Sequence, residues 1–158
     1  MFVLFRAVTY ASLFIGVVLV YVPARLLSRT GIRMPATMGV LQVMGMVIGA
    51  AGGVLALWCI FSFATLGRGT PMPLDPPRRL VMRGPYRFVR NPMYIGAALG
   101  LSGAALFYGS LPLAGYAGFF ILAMHAFVVV YEEPALTRTF GEEYEAYARQ
   151  TRRWRPTI

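Results

Sequence analysis

The fold is decided by residues 91–131, which read NPMYIGAALGLSGAALFYGSLPLAGYAGFFILAMHAFVVVY. These 41 residues contain no Asp, Glu, Lys or Arg, and His125 is their single histidine. A helix that crosses a bilayer needs about 20 apolar residues, so the stretch is too long for one span. Because the turn-forming sequence Gly109-Ser110-Leu111-Pro112 lies near its middle, we predict a tight helical hairpin. Its spans are expected near residues 93–108 and 113–131, and the first of them is short.

Two uncharged segments that precede the hairpin predict two more spans. Neither residues 7–24 nor residues 34–67 contain a charged side chain. We place one helix at residues 7–24 and a second at residues 40–66. Because no small-x-small cleavage site precedes Pro23, we expect the first helix to be retained and not removed as a signal sequence.

The composition is typical of an integral membrane protein. Hydrophobic residues make up 58% of the chain and charged residues 13%, whereas a soluble domain has about 25% charged residues. The spacing of Gly45, Gly49 and Gly53 in the second span permits close helix contact. The predicted fold is therefore all-α, an integral membrane bundle of about four transmembrane helices in a single domain over residues 1–158, with the lipid bilayer as its partner.

The arginines are distributed unevenly across the membrane. All 15 basic residues are arginine, and the formal net charge is +9. With four spans, only Arg25, Arg29 and Arg33 lie on the side opposite the other arginines. The positive-inside bias then predicts that both termini lie in the cytoplasm. Because no basic helix with interleaved aromatic residues is present, we expect no nucleic-acid partner.

Two polar segments share the arginine-rich side. Residues 68–90 hold five prolines and six arginines, which favours an extended connection over a helix. The tail shows helical spacing and predicts a C-terminal amphipathic helix. One face of that helix carries Leu136, Phe140, Tyr144, Tyr147 and Thr151.

The residues that could carry chemistry lie at the ends of the last two spans. Glu132 and Glu133 emerge directly from the fourth span, and carboxylates at a membrane boundary are costly unless they have partners. Either they bind a ligand or they pair with arginines of the connection. Arg87, Arg90 and Tyr94 have a spacing that fits one helix face.

Asn91 and Pro92 have the order of an N-cap and a first helical position, and a helix N-terminus can receive an anion. An ordinary capped helix with snorkelling arginines explains the same pattern. For His125, a neutral side chain bonded to a neighbouring helix is favoured over a functional group. No HExxH, CxxC, P-loop or dinucleotide motif is present, so no metal site is predicted.

Three motifs together resemble the isoprenylcysteine carboxyl methyltransferase and phospholipid methyltransferase superfamily, in its bacterial form, which implies a location in a bacterial inner membrane. The resemblance covers roughly residues 67–156. Its motifs are Gly84-Pro85-Tyr86-Arg87-Phe88-Val89-Arg90-Asn91-Pro92-Met93-Tyr94, Glu132-Glu133-Pro134-x-Leu136 with Phe140-Gly141-x-x-Tyr144-x-x-Tyr147, and Arg152-Arg153-Trp154-Arg155-Pro156.

The resemblance implies a membrane methyltransferase that uses S-adenosylmethionine, with the cofactor-binding part at about residues 67–156. It implies a cofactor pocket whose walls come from both motif regions, namely Pro85, Tyr86, Arg90, Asn91, Tyr94, Glu132, Glu133, Tyr144, Tyr147, Arg152 and Arg153. Within this set, Arg90, Asn91 and Glu133 are the catalytic candidates, and Glu132 or Glu133 is implied to bind the ribose hydroxyls. Related chains often have His at the position of Asn91, and Asn cannot titrate near neutral pH.

The acceptor stays open at this point. A small lipophilic or lipid-linked molecule could offer a carboxylate, a thiol or an amine, and only the amine must lose a proton to a base. Two alternatives remain: a nicotinamide-dependent membrane reductase related to the sterol reductases, and a non-catalytic membrane protein of the same fold.

Overall fold

The structure is a computed structural model that describes residues 15–62 and 80–157, and every element in these ranges is helical. Two π-helical turns, at Ile15–Tyr21 and Val128–Glu132, and one 3₁₀ turn, at Gly84–Arg87, accompany the α-helices. The α-helices are α1 (Val22–Thr30), α2 (Val40–Ser62), α3 (Pro92–Tyr108), α4 (Leu111–Phe127), α5 (Glu133–Phe140) and α6 (Glu142–Gln150).

Two helices in the described ranges are long and apolar enough to cross a membrane, fewer than the four spans predicted. They are Val40–Ser62, with 23 residues, and the continuous helix Leu111–Phe140, with 30 residues. The predicted short span is present as α3, whose 17 apolar residues give a length of about 26 Å, below a hydrocarbon core of about 30 Å. Most of the predicted first span, in residues 1–14, lies outside the described residues.

The two long helices direct their apolar side chains outward. Of the 18 most hydrophobic consecutive residues in each helix, only 17% are buried inside the protein in Val40–Ser62 and 22% in Leu111–Phe140. The central helix of a soluble protein would be mostly buried, so these faces fit a lipid environment instead. Large exposed side chains on them include Val47, Leu57, Phe61, Phe119, Leu122 and Val130.

Close glycine contacts hold α2 against α3 in an antiparallel arrangement. A Cβ atom added to Gly45 would lie 2.6 Å from the Gly103 carbonyl oxygen, and one added to Gly52 would lie 2.5 Å from that of Gly96. The contact therefore uses two glycines seven residues apart on each helix. The predicted four-residue pattern is present in part: the Gly49 backbone lies in the contact, 2.5 Å from a Cβ added to Gly103, whereas a Cβ on Gly49 or Gly53 itself would meet nothing within 4 Å.

The tail departs from the predicted single amphipathic helix. The helix of α4 does not end at the Glu-Glu-Pro sequence, because a wider π-helical turn at Val128–Glu132 leads into α5 and accommodates Pro134. A break then occurs at Gly141, whose φ of 52° and ψ of −127° suit glycine alone. The prediction of one continuous helix is therefore wrong, since α5 and α6 are separate.

An apolar cluster anchors the segment that leads into α3. Cys59 of α2 packs with Val81 and Tyr86 in this cluster, and Leu55 and Met93 pack against its edge. All three central residues are less than 9% exposed. The cluster fixes the backbone just ahead of Arg90 to the end of α2, and it thereby positions the polar residues described next.

Candidate functional site

The candidate site lies where the start of α3, the junction of α4 and α5, and the C-terminal residues meet. We call it the boundary cluster and define it by six side chains: Arg90, Tyr94, Glu132, Glu133, Tyr144 and Arg153. Residues far apart in sequence come together here because α3 begins and α4 ends on the same side of the bundle, and the tail folds back over both.

Glu133 is the centre of an ion-pair network. Arg153 binds it with two hydrogen bonds, from Nε to Oε1 and from Nη2 to Oε2, both 2.7 Å long. Arg90 Nη1 lies 3.3 Å from the same Oε1. These side chains are 18% exposed for Glu133, 14% for Arg90 and 31% for Arg153. The hydrogen bond to Glu133 raises the pKa of Arg153, so its guanidinium remains charged beside that carboxylate.

Glu132 has a different environment although it is the adjacent residue. The Tyr94 hydroxyl donates to its Oε2 at 2.9 Å. No guanidinium forms an ion pair with it among residues 15–62 and 80–157. The two carboxylates are thus divided: Glu133 is neutralised by two arginines, whereas Glu132 has a neutral phenol.

Arg90 links the ion-pair network to the tail and retains one hydrogen-bond donor without a partner in the described residues. Its Nη1 donates to the Tyr144 hydroxyl at 3.3 Å, and its backbone N–H donates to the Arg152 carbonyl at 3.0 Å. Its Nε is buried and has no hydrogen-bond partner within the described part of the chain. A buried guanidinium N–H without a partner is costly, which makes it a candidate donor to a ligand.

Asn91 occupies the predicted N-cap position but does not cap the helix. Its side chain forms no capping bond to the first turn of α3, which starts at Pro92. Instead its Nδ2 donates to the Arg153 carbonyl at 3.3 Å, and the residue is only 6% exposed. The amide therefore fastens the tail to the start of α3.

Tyr147 joins the tail helix to the 3₁₀ turn. Its hydroxyl donates to the Tyr86 carbonyl oxygen at 2.6 Å. Burial raises the pKa of Tyr147 and of Tyr86, so both phenols stay protonated at neutral pH. Pro85 is buried within the same turn, and the Tyr86 ring packs in the cluster around Cys59, so these two residues support the site from beneath.

A sequence comparison bears on these residues as a group. The family model described as phospholipid methyltransferase matches residues 38–143. The chain belongs to the phospholipid methyltransferase family. The match covers about two thirds of the 158 residues, starts earlier than the resemblance drawn over residues 67–156, and ends before α6 is complete. Comparisons with curated proteins and with solved structures gave no significant match.

The family is one of membrane methyltransferases, which confirms the superfamily that the motifs indicated. Arg90, Tyr94, Glu132 and Glu133 all lie within the matched residues, whereas Arg153 lies beyond them. In this member of the family, the ion-pair network therefore joins the matched region to the C-terminal residues.

Arg87 and Arg152 belong to the motifs but lie outside the boundary cluster. Arg87 does not share a helix face with Arg90 and Tyr94, because residues 84–87 form a 3₁₀ turn and α3 begins only at Pro92. Its guanidinium lies 4.5 Å from the centre of the Phe88 ring. Arg152 is exposed and contributes backbone groups, since its N–H donates to the Thr157 hydroxyl at 3.2 Å.

A hydrogen bond between Trp154 and His125 was not expected from the motifs. Trp154 Nε1 donates to His125 Nδ1 at 3.0 Å. The expected partner for His125 was a neighbouring helix, and the partner observed is the C-terminal segment. The sequence contained one indication of this contact, which is Trp154 between Arg153 and Arg155. An indole N–H beside a membrane requires a hydrogen-bond acceptor, and His125 provides one.

Proposed function

We propose that this chain is an S-adenosylmethionine-dependent methyltransferase that transfers a methyl group to a small lipophilic or lipid-linked acceptor in the membrane. The observation that carries the proposal is the division between two adjacent carboxylates at the end of a membrane helix. Glu133 is paired with Arg90 and Arg153, whereas Glu132 accepts a hydrogen bond from the Tyr94 phenol and forms no ion pair with an arginine in the described ranges.

The boundary cluster fits the polar groups of S-adenosylmethionine. Glu132 has lone pairs left to accept hydrogen bonds from ribose hydroxyls or an ammonium group, since one phenol donates to it. The unpartnered Arg90 Nε can donate to a carboxylate. Because both carboxylate oxygens of Glu133 are already bonded, we assign Glu132 as the ligand-binding glutamate. When bound, the cofactor supplies a methyl group on a positively charged sulfur.

The residues of this chain would act mainly by binding and orienting the reactants. Arg90 and Glu132 hold charged groups at a boundary with little water, where a polar contact has a larger energetic effect. Asn91 is engaged with the Arg153 carbonyl and cannot take a proton near neutral pH, so we assign it a positioning role. A carboxylate or thiolate acceptor reacts without a base, and an amine acceptor would require one.

We further propose four spans in a bacterial inner membrane, with both termini and the boundary cluster on the cytoplasmic side. Support comes from the distribution of arginines and from the outward apolar faces of α2 and α4. A lipophilic acceptor can then reach the cluster sideways from the bilayer, and S-adenosylmethionine reaches it from the cytoplasm.

Ligand-dependent stability of the detergent-purified protein tests the cofactor class. S-Adenosylhomocysteine should raise the melting temperature progressively with its concentration, because a ligand of the folded state alone stabilises that state, by about 2.7 kcal/mol at 100 times its Kd. NADPH is the comparison ligand. A rise with NADPH alone would assign the chain to the reductases, and a response to neither would overturn the proposal. Binding without turnover on an acceptor panel would indicate a non-catalytic member.

Glu132→Gln separates ligand binding from folding. We expect S-adenosylhomocysteine affinity to fall about 5- to 150-fold, the effect of losing a charge-assisted hydrogen bond worth about 1–3 kcal/mol. The melting temperature without ligand should change little, because Gln can still accept the Tyr94 hydrogen bond. Titration calorimetry measures the affinity, and Glu142→Gln on the exposed start of α6 is the control. Equal affinities for both variants would remove Glu132 from the site.

A further inference from the structure

The contact between His125 and Trp154 joins the lipid-facing side of α4 to the C-terminal segment, residues 151–157. Trp154 Nε1 donates to His125 Nδ1 at 3.0 Å, and the two ring centres are 6.0 Å apart. With Nδ1 as the acceptor, the imidazole proton is assigned to Nε2. The pair takes no part in the boundary cluster itself.

The surroundings of His125 explain why the two groups need each other. His125 is exposed on α4, and the residues one turn before it on the same face, Ile121 and Leu122, are apolar and 48% and 70% exposed. On a membrane helix such exposure is to lipid, which offers no hydrogen bonds to an imidazole nitrogen or an indole N–H. Each group therefore satisfies the other, and separating them carries a cost that water does not offset.

Two adjacent residues of the C-terminal segment bind the helix Leu111–Phe140 at two positions along its axis. Arg153 binds Glu133, and Trp154 binds His125. These two partners are eight residues apart on the continuous helix Leu111–Phe140, a rise of about 12 Å. The Arg153 carbonyl also accepts from Asn91, so the segment is tied to the start of α3 as well.

We propose that His125 and Trp154 form a positioning pair that holds the C-terminal segment against α4 and thereby keeps Arg153 on Glu133. The pair acts through Arg153 and touches neither reactant. It is independent of the ligand that the boundary cluster binds, so it can be tested without any cofactor. Loss of the hydrogen-bond acceptor on His125 should release the segment, whereas loss of the imidazole ring alone should not.

Two substitutions of His125 separate these properties. His125→Asn keeps an acceptor near the position of Nδ1, and His125→Phe keeps a ring but removes the acceptor. Both are made in a Trp58→Phe background, because the chain has two tryptophans and Trp58 is 49% exposed on α2. The emission of Trp154 then reports its own environment, and tryptic cleavage after Arg153 reports release of the segment.

We expect His125→Phe to raise the cleavage rate after Arg153 roughly 3- to 10-fold, the equivalent of one lost hydrogen bond, and to shift the Trp154 emission to longer wavelength. His125→Asn should match the Trp58→Phe parent in both readouts. Cleavage after Arg29 on α1 serves as the control for global unfolding.

Trp154→Phe in the otherwise natural chain provides a second route, because it removes the donor and keeps a ring. It should raise cleavage after Arg152 by the same factor. Unchanged cleavage in both His125→Phe and Trp154→Phe would overturn the proposal. So would a His125→Asn variant that is released as readily as His125→Phe, since the acceptor would then have no role.

Discussion

Glu133→Gln is expected to lower the free energy of unfolding by about 2 kcal/mol, because it leaves two guanidiniums without their shared carboxylate. Removing one partner of a fully buried ion pair costs about 3–5 kcal/mol, and the 14–31% exposure of these three side chains reduces that figure. Arg90, the less exposed of the two arginines, carries most of the cost, since it cannot turn to water as readily as Arg153. Chemical denaturation in detergent followed by circular dichroism measures the change.

Glu145→Gln is the matched control for this substitution. Glu145 also pairs with an arginine, Arg149, but at 3.9 Å and with side chains that are 54% and 72% exposed. Its loss should change stability by less than about 0.5 kcal/mol. Equal effects of the two substitutions would mean that the Glu133 network contributes no more than a surface pair.

A double-mutant cycle assigns the effect to the network. Arg153→Gln alone should also destabilise, and the double variant Glu133→Gln with Arg153→Gln should lose about 1–2 kcal/mol less than the sum of the two. Strict additivity would show that Glu133 and Arg153 do not act as a pair, despite hydrogen bonds of 2.7 Å.

The helices were predictable because lipid imposes a strong rule on sequence. A backbone in hydrocarbon must satisfy its own hydrogen bonds, so an uncharged run of sufficient length becomes a helix. The start of α2 at Val40 and the end of α3 at Tyr108 agree with the sequence prediction for this reason. The turn at Gly109 and Ser110 was equally visible, and the Ser110 hydroxyl accepts from the Leu113 N–H at 3.3 Å as an N-cap does.

The break at Gly141 was missed because periodicity alone cannot detect it. Apolar residues on both sides of Gly141 continue one helical pattern, so the sequence favoured a single helix. The backbone at Gly141 has a positive φ of 52°, and only the absence of a side chain indicates that option in sequence. The end of the fourth span, predicted at residue 131, gave the opposite error, since the helix continues through a π-helical turn into α5.

The members of the candidate site could be named from sequence, but their partners could not. Glu132 and Glu133 are adjacent and chemically identical, so only the fold shows that one receives arginines and the other a phenol. The same holds for Arg152 and Arg153, of which the second carries the ion pair. His125 and Trp154 are 29 residues apart, and no periodic pattern relates positions on a helix to positions on an irregular tail.

Gly103→Ala should destabilise the protein by about 3 kcal/mol, the upper part of the range for overpacking. The added Cβ would lie 2.5 Å from the Gly49 backbone nitrogen and 2.6 Å from the Gly45 carbonyl oxygen. Because both obstacles are backbone atoms, no side chain can rotate away, and α2 and α3 must separate. Reversible unfolding in detergent or in bicelles, followed by circular dichroism, measures the loss.

Gly100→Ala, on the same helix, is the control. A Cβ there meets nothing within 4 Å, so the change should be neutral or slightly stabilising, by up to about 1 kcal/mol, through helix propensity. If Gly100→Ala is as harmful as Gly103→Ala, the close contact between the helices is not what holds them.

Gly52→Ala and Gly53→Ala repeat the comparison at the other crossing point, with neighbouring residues. A Cβ on Gly52 would lie 2.5 Å from the Gly96 carbonyl oxygen, whereas one on Gly53 would meet nothing within 4 Å. Gly96 is in the second turn of α3, just after Tyr94 of the boundary cluster. Gly52→Ala should therefore weaken ligand binding as well as folding, since any separation of α2 and α3 here displaces Tyr94 from Glu132.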